Sequence, residues 1–389
     1  MTTRVIVLGA GRIGSTIALD LASRAGWDVC LADARPEALR RLSTVAPVRT
    51  LVADLADPGA VARAVAGHDL AIGALPSHFG FGTLETLIDA GIDTVDISFM
   101  AEDALRLDRR ARERGVTVVV DCGVAPGISN LLAGWAAAAL DPAERLEIQV
   151  GGLPVERRWP YDYKAGFAPG DVLEEYVRPA RVVESGRMVV REALSDRELI
   201  HVPGVGTVEA FLTDGLRTLA ETLSIPFMKE RTLRYPGHAE LVRALRETGF
   251  FSKQALEAGG SRVRPLDLTA ALLFPKWEFQ EGEPDLTVLR VDVEGKQDGR
   301  SVRFRWEMVD RFDPATGLRS MSRTTAFPAA VMAGMLADGS FRRPGVCAPE
   351  VPGAVPGLMQ RMMRELEARG VRLRSSIESL EAPPVAAAL

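Results

Sequence analysis

The first third of the chain alternates between short apolar runs and amphipathic stretches. Runs at 4–9, 28–33, 48–54, 69–75, 93–98 and 116–121 predict strands. Stretches at 12–25, 36–44, 58–66, 80–90 and 101–114 predict the helices between them. Most of the strand runs are continuously apolar, the pattern of a parallel sheet covered on both faces. Pro36 and Pro58 stand near helix starts, and Gly67, Gly91 and Gly115 stand just past helix ends. Strand–helix alternation of this kind predicts right-handed crossovers and a doubly wound α/β sheet. Later the period changes. Residues 286–293 and 302–309 alternate apolar and polar around "EGKQDGR", a hairpin signal that puts Val302, Phe304, Trp306 and Met308 on one face. Residues 357–369 read as an amphipathic helix ended by Gly370 and suited to docking on the first sheet. Residues 376–389 are expected to be a flexible tail.

The first strand–helix junction carries chemistry. Gly9-Ala10-Gly11-Arg12-Ile13-Gly14 is a G-x-G-x-x-G between a strand and a helix. Gly9 permits the tight turn, Gly11 lets backbone approach a pyrophosphate, and Gly14 lets the helix pack close to the sheet. The helix N-terminus, with Arg12 and Ile13, offers N–H groups and a positive dipole end to phosphates. Asp33, which ends the second strand 19 residues after Gly14, suits an adenosine ribose. This acid favours NAD over NADP, whereas Arg35 is the residue that would clamp a 2′-phosphate. Asp54 either approaches the adenine edge or caps the helix near Pro58.

Ligands in such sheets lie beyond the carboxyl ends of the strands. Ala74, Leu75 and Pro76 after the fourth strand, Ser98 after the fifth and Val124 after the sixth are therefore expected along the cofactor. Asp96 and Asp121 fall at the same level and either act in catalysis or cap local backbone. Cys122 is expected to be a buried, inert thiol.

Size and charge narrow the class. At 389 residues the chain is long enough for two domains. A net charge of −5 with arginines interleaved among acids argues against nucleic-acid binding. No apolar run reaches the length of a membrane span. Cys30, Cys122 and Cys347, like the four histidines, are too scattered for a disulfide framework or a metal site. A cytoplasmic, metal-free protein is expected, with no signal peptide.

The blocks "DCGVAPGISN", "VGGLPVE", "YDYKAGFAPGDVLEEYVRPARVVESGR", "VEAFLTDGLRTLAETL", "RTLRYPGHAELVRAL" and "TAFPAAVMAGMLADG" resemble the saccharopine dehydrogenase-like family over nearly the whole chain. Within it, the lysine 6-dehydrogenase branch is most similar. The resemblance implies a Rossmann domain at 1–127, with 340–375 returning to pack on it. It also implies an α+β domain at 128–339, built on a mostly antiparallel sheet and suited to homodimer formation. Saccharopine-forming relatives carry an acid where this chain has Ala125, a cysteine where it has Val150, and an arginine where it has Gly170. Losing those groups favours a substrate smaller than a dicarboxylic amine.

The resemblance further implies NAD-dependent oxidation of L-lysine at its 6-amino group. Ammonia leaves and 2-aminoadipate 6-semialdehyde forms, which cyclises to piperideine-6-carboxylate. Asp96, Asp121 and His238 are the acid–base candidates. His238 has the alternative of a packed, structural histidine. Arg234, Arg217 and Lys164 are candidates for the α-carboxylate, and Tyr163 and Thr213 for pocket hydroxyls. Two competing readings remain. One is an NADPH-dependent condensation of an amine with a semialdehyde, of the saccharopine or carboxynorspermidine type. The other is a non-catalytic nucleotide sensor.

Overall fold

A computed structural model describes residues 2–43 and 46–381 of the chain. Six strands of the first sheet come from the start of the chain, β1 (Thr3–Leu8), β2 (Trp27–Asp33), β3 (Arg49–Val52), β4 (Leu70–Gly73), β5 (Asp93–Asp96) and β6 (Thr117–Val119). The α+β region contributes β7 (Ala143–Pro154), β8 (Ala180–Glu184), β9 (Arg187–Arg191), β10 (Glu198–Val202), β11 (Gly206–Leu212) and β12 (Phe227–Arg234). A small hairpin, β13 (Leu256–Ala258) and β14 (Ser261–Val263), precedes the long strands β15 (Asp285–Gln297) and β16 (Arg300–Arg311). Two late strands complete the set, β17 (Gly345–Cys347) and β18 (Arg374–Ser379).

The first sheet runs β17-β6-β5-β4-β1-β2-β3, all parallel. Its strand order reverses between β1 and β4, which opens a crevice at their carboxyl ends. Val5, Ile6, Val7 and Leu8 are all buried, which is why the strand pattern was continuous rather than alternating. The returning segment joins this sheet directly, because β17 pairs with β6. The second sheet runs β10-β11-β12-β7-β15-β16-β18, and its long pairings are antiparallel except β12 with β7.

Several expectations shift. The hairpin is longer than its alternating cores, since only Asp298 and Gly299, both at positive φ, form the turn. Phe304, Trp306 and Met308 are buried on one face as expected, with Trp135 against the first two. The stretch at 101–114 divides into a short 3-10 turn, Ala104–Leu107, and a helix, Asp108–Arg114. The late helix Leu358–Ala368 packs on the helices Ser320–Ala337 and Ile128–Ala139 rather than on the sheet. The expected flexible tail begins instead as edge strand β18, paired with β16, and residues 382–389 lie outside the described part.

The helix Ser320–Ala337 joins the two halves. It packs against the helix Arg12–Ala22 and against β4, β5 and β15. Every residue from 326 to 336 is buried, so this element is core to both sheets. Asp285 caps it from β15, accepting from the Ser320 and Met321 N–H groups at 2.7 and 3.0 Å.

Candidate active site

A cavity of about 610 Å³ opens at the carboxyl ends of β1 and β4 and runs into the α+β half. Its outer wall is the glycine turn. Gly9 has φ +108, and a Cβ on Gly14 would stand 2.0 Å from the Gly9 carbonyl oxygen. A Cβ on Gly11 meets nothing within 4 Å, so the backbone there is open to a ligand. The helix Arg12–Ala22 begins with no side-chain cap, which leaves its first-turn N–H groups for an anion. Asp33 stands at the rim and accepts from Ala10 N at 2.7 Å and from Arg35 N and Nε at 2.9 and 3.0 Å. Burial opposes its ionisation, but Arg35 and these N–H groups hold the carboxyl below the usual range. A cradle that one Cβ would fill, a free helix end and a rim acid fit a dinucleotide. Ala74, Leu75, Pro76 and Val124 line the same cavity, as do Arg12 and Ile13. The Arg12 guanidinium also crosses to the α+β half, donating to the Ala165 carbonyl at 3.0 Å.

The inner wall carries a cluster of charged side chains. Asp121 and Phe99 arrive on the loops after β6 and β5. Arg217 donates twice to Asp121, each bond 3.3 Å, and both members are almost fully buried. Both also have left-handed backbone, φ 54 each, a strained conformation that tends to gather at functional sites. Phe99 lies between two guanidinium groups, those of Arg178 and Arg217, each 4.9 Å from its ring centre. Opposite stand Asp171 and Glu175, one turn apart on the helix Pro169–Val177, together with Thr232 and Arg234 of β12. Arg234 donates to Glu175 at 2.9 Å and to the Tyr176 hydroxyl at 3.3 Å. Ser77 donates to Asp171 at 2.5 Å across the domain boundary. Burial raises the pKa of both Asp171 and Glu175.

Other expected site residues stand behind this wall. Asp96 is completely buried beneath it and accepts from the Ser98 N–H at 2.8 Å and hydroxyl at 3.2 Å. Its carboxylate occupies the space that Gly73 leaves open. Burial lifts its pKa to about 7 although Ser98 pulls it down. Ser98 is thus a partner of Asp96 and not part of the cavity wall. Arg217 acts from behind through Asp121.

The remaining candidates have structural partners. His238 is buried between the Tyr161 carbonyl, 2.8 Å from Nδ1, and the Tyr176 hydroxyl, 2.9 Å from Nε2. Burial lowers its pKa to about 3, so it is a neutral packed ring outside the cavity wall rather than a base in it. Lys164 donates to Glu283 at 2.5 Å and to the Glu278 carbonyl at 3.0 Å, away from the wall. Tyr163 supports Arg234 from below, its ring centre 4.6 Å from the guanidinium carbon. Thr213 bonds to Thr232 and Glu230. Asp54 accepts from Ala56 N in its own turn and is not among the residues lining the cavity, and Asp57 rather than Asp54 caps the helix at Pro58.

Sequence reasoning passed over Asp171, Glu175, Thr232 and Phe99. The acids are four apart on one helix, Pro169–Val177, which was not predicted; their spacing alone was a usable signal. The strand context of Thr232 gave none, because only the pairing of β12 with β7 and β11 brings it to the cavity. The three cysteines are free and buried, the burial of Cys122 as expected, and that burial pushes the Cys122 thiol up. Among the described residues no group of acids, cysteines and histidines could hold a metal. No described helix is long and apolar enough to cross a membrane.

The family model for the saccharopine dehydrogenase NADP binding domain matches residues 5–119, and that for the saccharopine dehydrogenase C-terminal domain matches 123–371. The chain belongs to the saccharopine dehydrogenase family. Saccharopine dehydrogenase (NADP(+), L-glutamate-forming) of Pyricularia oryzae is 24% identical over 424 residues, covering 90% of this chain and 94% of that one. Carboxyaminopropylagmatine dehydrogenase of Synechocystis is 21% identical, covering 88% of this chain and 91% of that one. Among solved structures, apo saccharopine dehydrogenase (L-Glu forming) from Saccharomyces cerevisiae superposes with a TM-score of 0.78 at 20% identity. That match covers 97% of this chain and all of the other. The family places this chain among pyridine-nucleotide oxidoreductases, and the fold agrees with a parallel nucleotide-binding sheet joined to a mixed second sheet.

Proposed function

We propose that this protein oxidises the 6-amino group of L-lysine with NAD, releasing ammonia and 2-aminoadipate 6-semialdehyde. The observation that carries this reading is the charge of the inner wall. Asp121, Asp171 and Glu175 line it with Arg234, while Arg217 backs Asp121 and Arg12 stands at the glycine turn. Such a wall suits a substrate with two amines and a single carboxylate. A dicarboxylic amine would instead meet carboxylates. The absence of an acid at Ala125 and of an arginine at Gly170 supports the same choice.

The nicotinamide would supply the hydride acceptor. Gly9, Gly11, Gly14 and the helix end at Arg12 and Ile13 would hold the pyrophosphate, and Asp33 the ribose. Asp121, kept in place by Arg217, is the carboxylate to receive the reacting ammonium. Arg234 is the cation for the α-carboxylate, and Glu175 and Asp171 are the acceptors for the α-ammonium. The apolar rings of Phe99, Phe274 and Trp277 in the wall exclude water.

A second reading, reductive joining of an amine to a semialdehyde with NADPH, is favoured by Arg35 beside Asp33 and by the cofactor in the relatives' names. One assay separates the two. Purified protein is given L-lysine with NAD or NADP at mildly alkaline pH, and reduced nicotinamide and ammonia are followed together. The expected result is NADH and ammonia in equal amounts. No product from lysine, with oxidation of NADPH in the presence of a semialdehyde and an amine, would establish the second reading instead.

A further inference from the structure

Glu230 has no catalytic assignment, and its position is unusual. It is 2% exposed, and among the described residues no ion pair compensates it. An acid so placed costs several kcal/mol unless something holds it. Along β12 the side chains of Glu230, Thr232 and Arg234 share one face by the two-residue period. The last two line the cavity, and Glu230 is the next residue back. Thr213, just past β11, bridges the gap. Its hydroxyl lies 2.8 Å from that of Thr232 and donates to Glu230 Oε2 at 2.6 Å. The seat is shaped for the carboxyl, since a Cβ on Gly215 would stand 2.3 Å from Oε2.

We infer that Glu230 stores the proton of the amine oxidation, reached from the cavity through Thr232 and Thr213. This rests on the amine-oxidising reading above. The reacting 6-ammonium, held by Asp121 through one N–H, turns a second N–H across the cavity to the Thr232 oxygen and loses that proton to it. Thr232 passes its own proton to Thr213, and Thr213 passes its own to the Glu230 carboxylate, where an O–H bond forms. Hydride leaves the carbon, and water converts the resulting iminium ion to aldehyde and ammonium with no further proton needed. The one proton that the overall oxidation releases is therefore the one on Glu230. It returns along the same hydroxyls to solvent when products leave. Glu230 acts through the threonines and does not itself touch substrate.

The surroundings set its working range. Burial comes first, and the nearby Glu175 and Asp214 add to it, against hydrogen bonds from Thr213 and the Gly215 N–H. The pKa is lifted to about 8. Asp214 is itself paired with Arg181, and Glu175 with Arg234. Below pH of about 8 Glu230 already carries its proton and cannot accept another, so turnover rises as pH passes through about 8.

The test compares wild type with Glu230→Gln and Thr213→Val. In Glu230→Gln, kcat for lysine is expected to fall about 100-fold, with KM unchanged and the inflection near pH 8 gone. Thr213→Val should lose turnover alike while keeping Glu230. Loss of stability with the inflection retained would overturn the inference. An infrared difference titration, with NADH and an unreactive amine bound, needs no turnover. A carboxylic-acid carbonyl band should titrate near pH 8 in wild type and be missing in Glu230→Gln. In Thr213→Val it should no longer respond to the amine. Absence of that band in wild type overturns the proton store. A band that behaves as stated in a protein that oxidises another amine and not lysine rejects the lysine reading and leaves the store standing, whereas inactivity on every amine overturns both.

Discussion

His238 is held neutral by its neighbours, and that has a cost in acid. Unfolded, the ring titrates near 6.5; buried beside Arg234 it titrates near 3. Between those values the unfolded chain takes up a proton that the folded chain refuses, so stability falls as pH drops from about 6.5 to about 3. The loss is on the order of 3–5 kcal/mol across that window. Asp96 works in the opposite sense, since its stabilising share is present below 3.8 and lost as pH rises through about 7. The difference between wild type and His238→Gln in Tm against pH isolates the histidine. The wild-type curve should fall more steeply on the acid side, and parallel curves would refute this account. At the glycine turn, Gly14→Ala places a methyl 2.0 Å from the Gly9 carbonyl. Dinucleotide binding, followed by fluorescence titration, should weaken by at least about tenfold, or 1.4 kcal/mol.

Elements depend on residues far from them in sequence. The helix Ser320–Ala337 has Arg319 at its N-cap position with no side-chain cap of its own, and takes its cap from Asp285 on β15. Asp285→Ala should cost about 1–2 kcal/mol, seen as a lower urea midpoint with an unchanged m-value. This helix reads as an apolar stretch in sequence, and its local pattern does not say that it lies between two sheets. The hairpin of β15 and β16 was more legible. Alternation gave its buried face, and "EGKQDGR" gave the region of its turn, which pairing narrows to Asp298 and Gly299. Its ends were not, because Asp285 to Gln297 stay extended only while paired with β7 and β16.

The two halves of the molecule are tied across the cavity. Glu350, in the returning segment, accepts from Asn130 at 3.0 Å and from Thr222 at 2.7 Å, both in the α+β half. Replacing it with alanine leaves the buried Asn130 amide only its long 3.5 Å contact with the Thr218 hydroxyl, at a cost of about 1–3 kcal/mol. Thermal unfolding should register that loss. Ser77–Asp171 and Arg12–Ala165 span the same boundary beside the cavity. The wall that would grip an amine is therefore assembled from both domains, and neither domain carries it alone.

Sequence alone determined the nucleotide end of this protein. The glycine turn, the strand before it, the helix after it and the acid at Asp33 are neighbours along the chain. Local sterics and a helix dipole are enough to specify them. The family, too, was written in contiguous blocks. The amine end was decided only by tertiary structure. Asp121 and Arg217, Glu175 and Arg234, and Thr213 between Thr232 and Glu230 meet only after strands far apart in sequence have paired. Burial then sorted the candidates, because one histidine or one acid in a sequence carries no sign of whether its partners are substrate, solvent or backbone. His238 and Lys164 were packed behind the wall, whereas Asp121, Asp171 and Glu175, each with a protein partner of its own, stand on it.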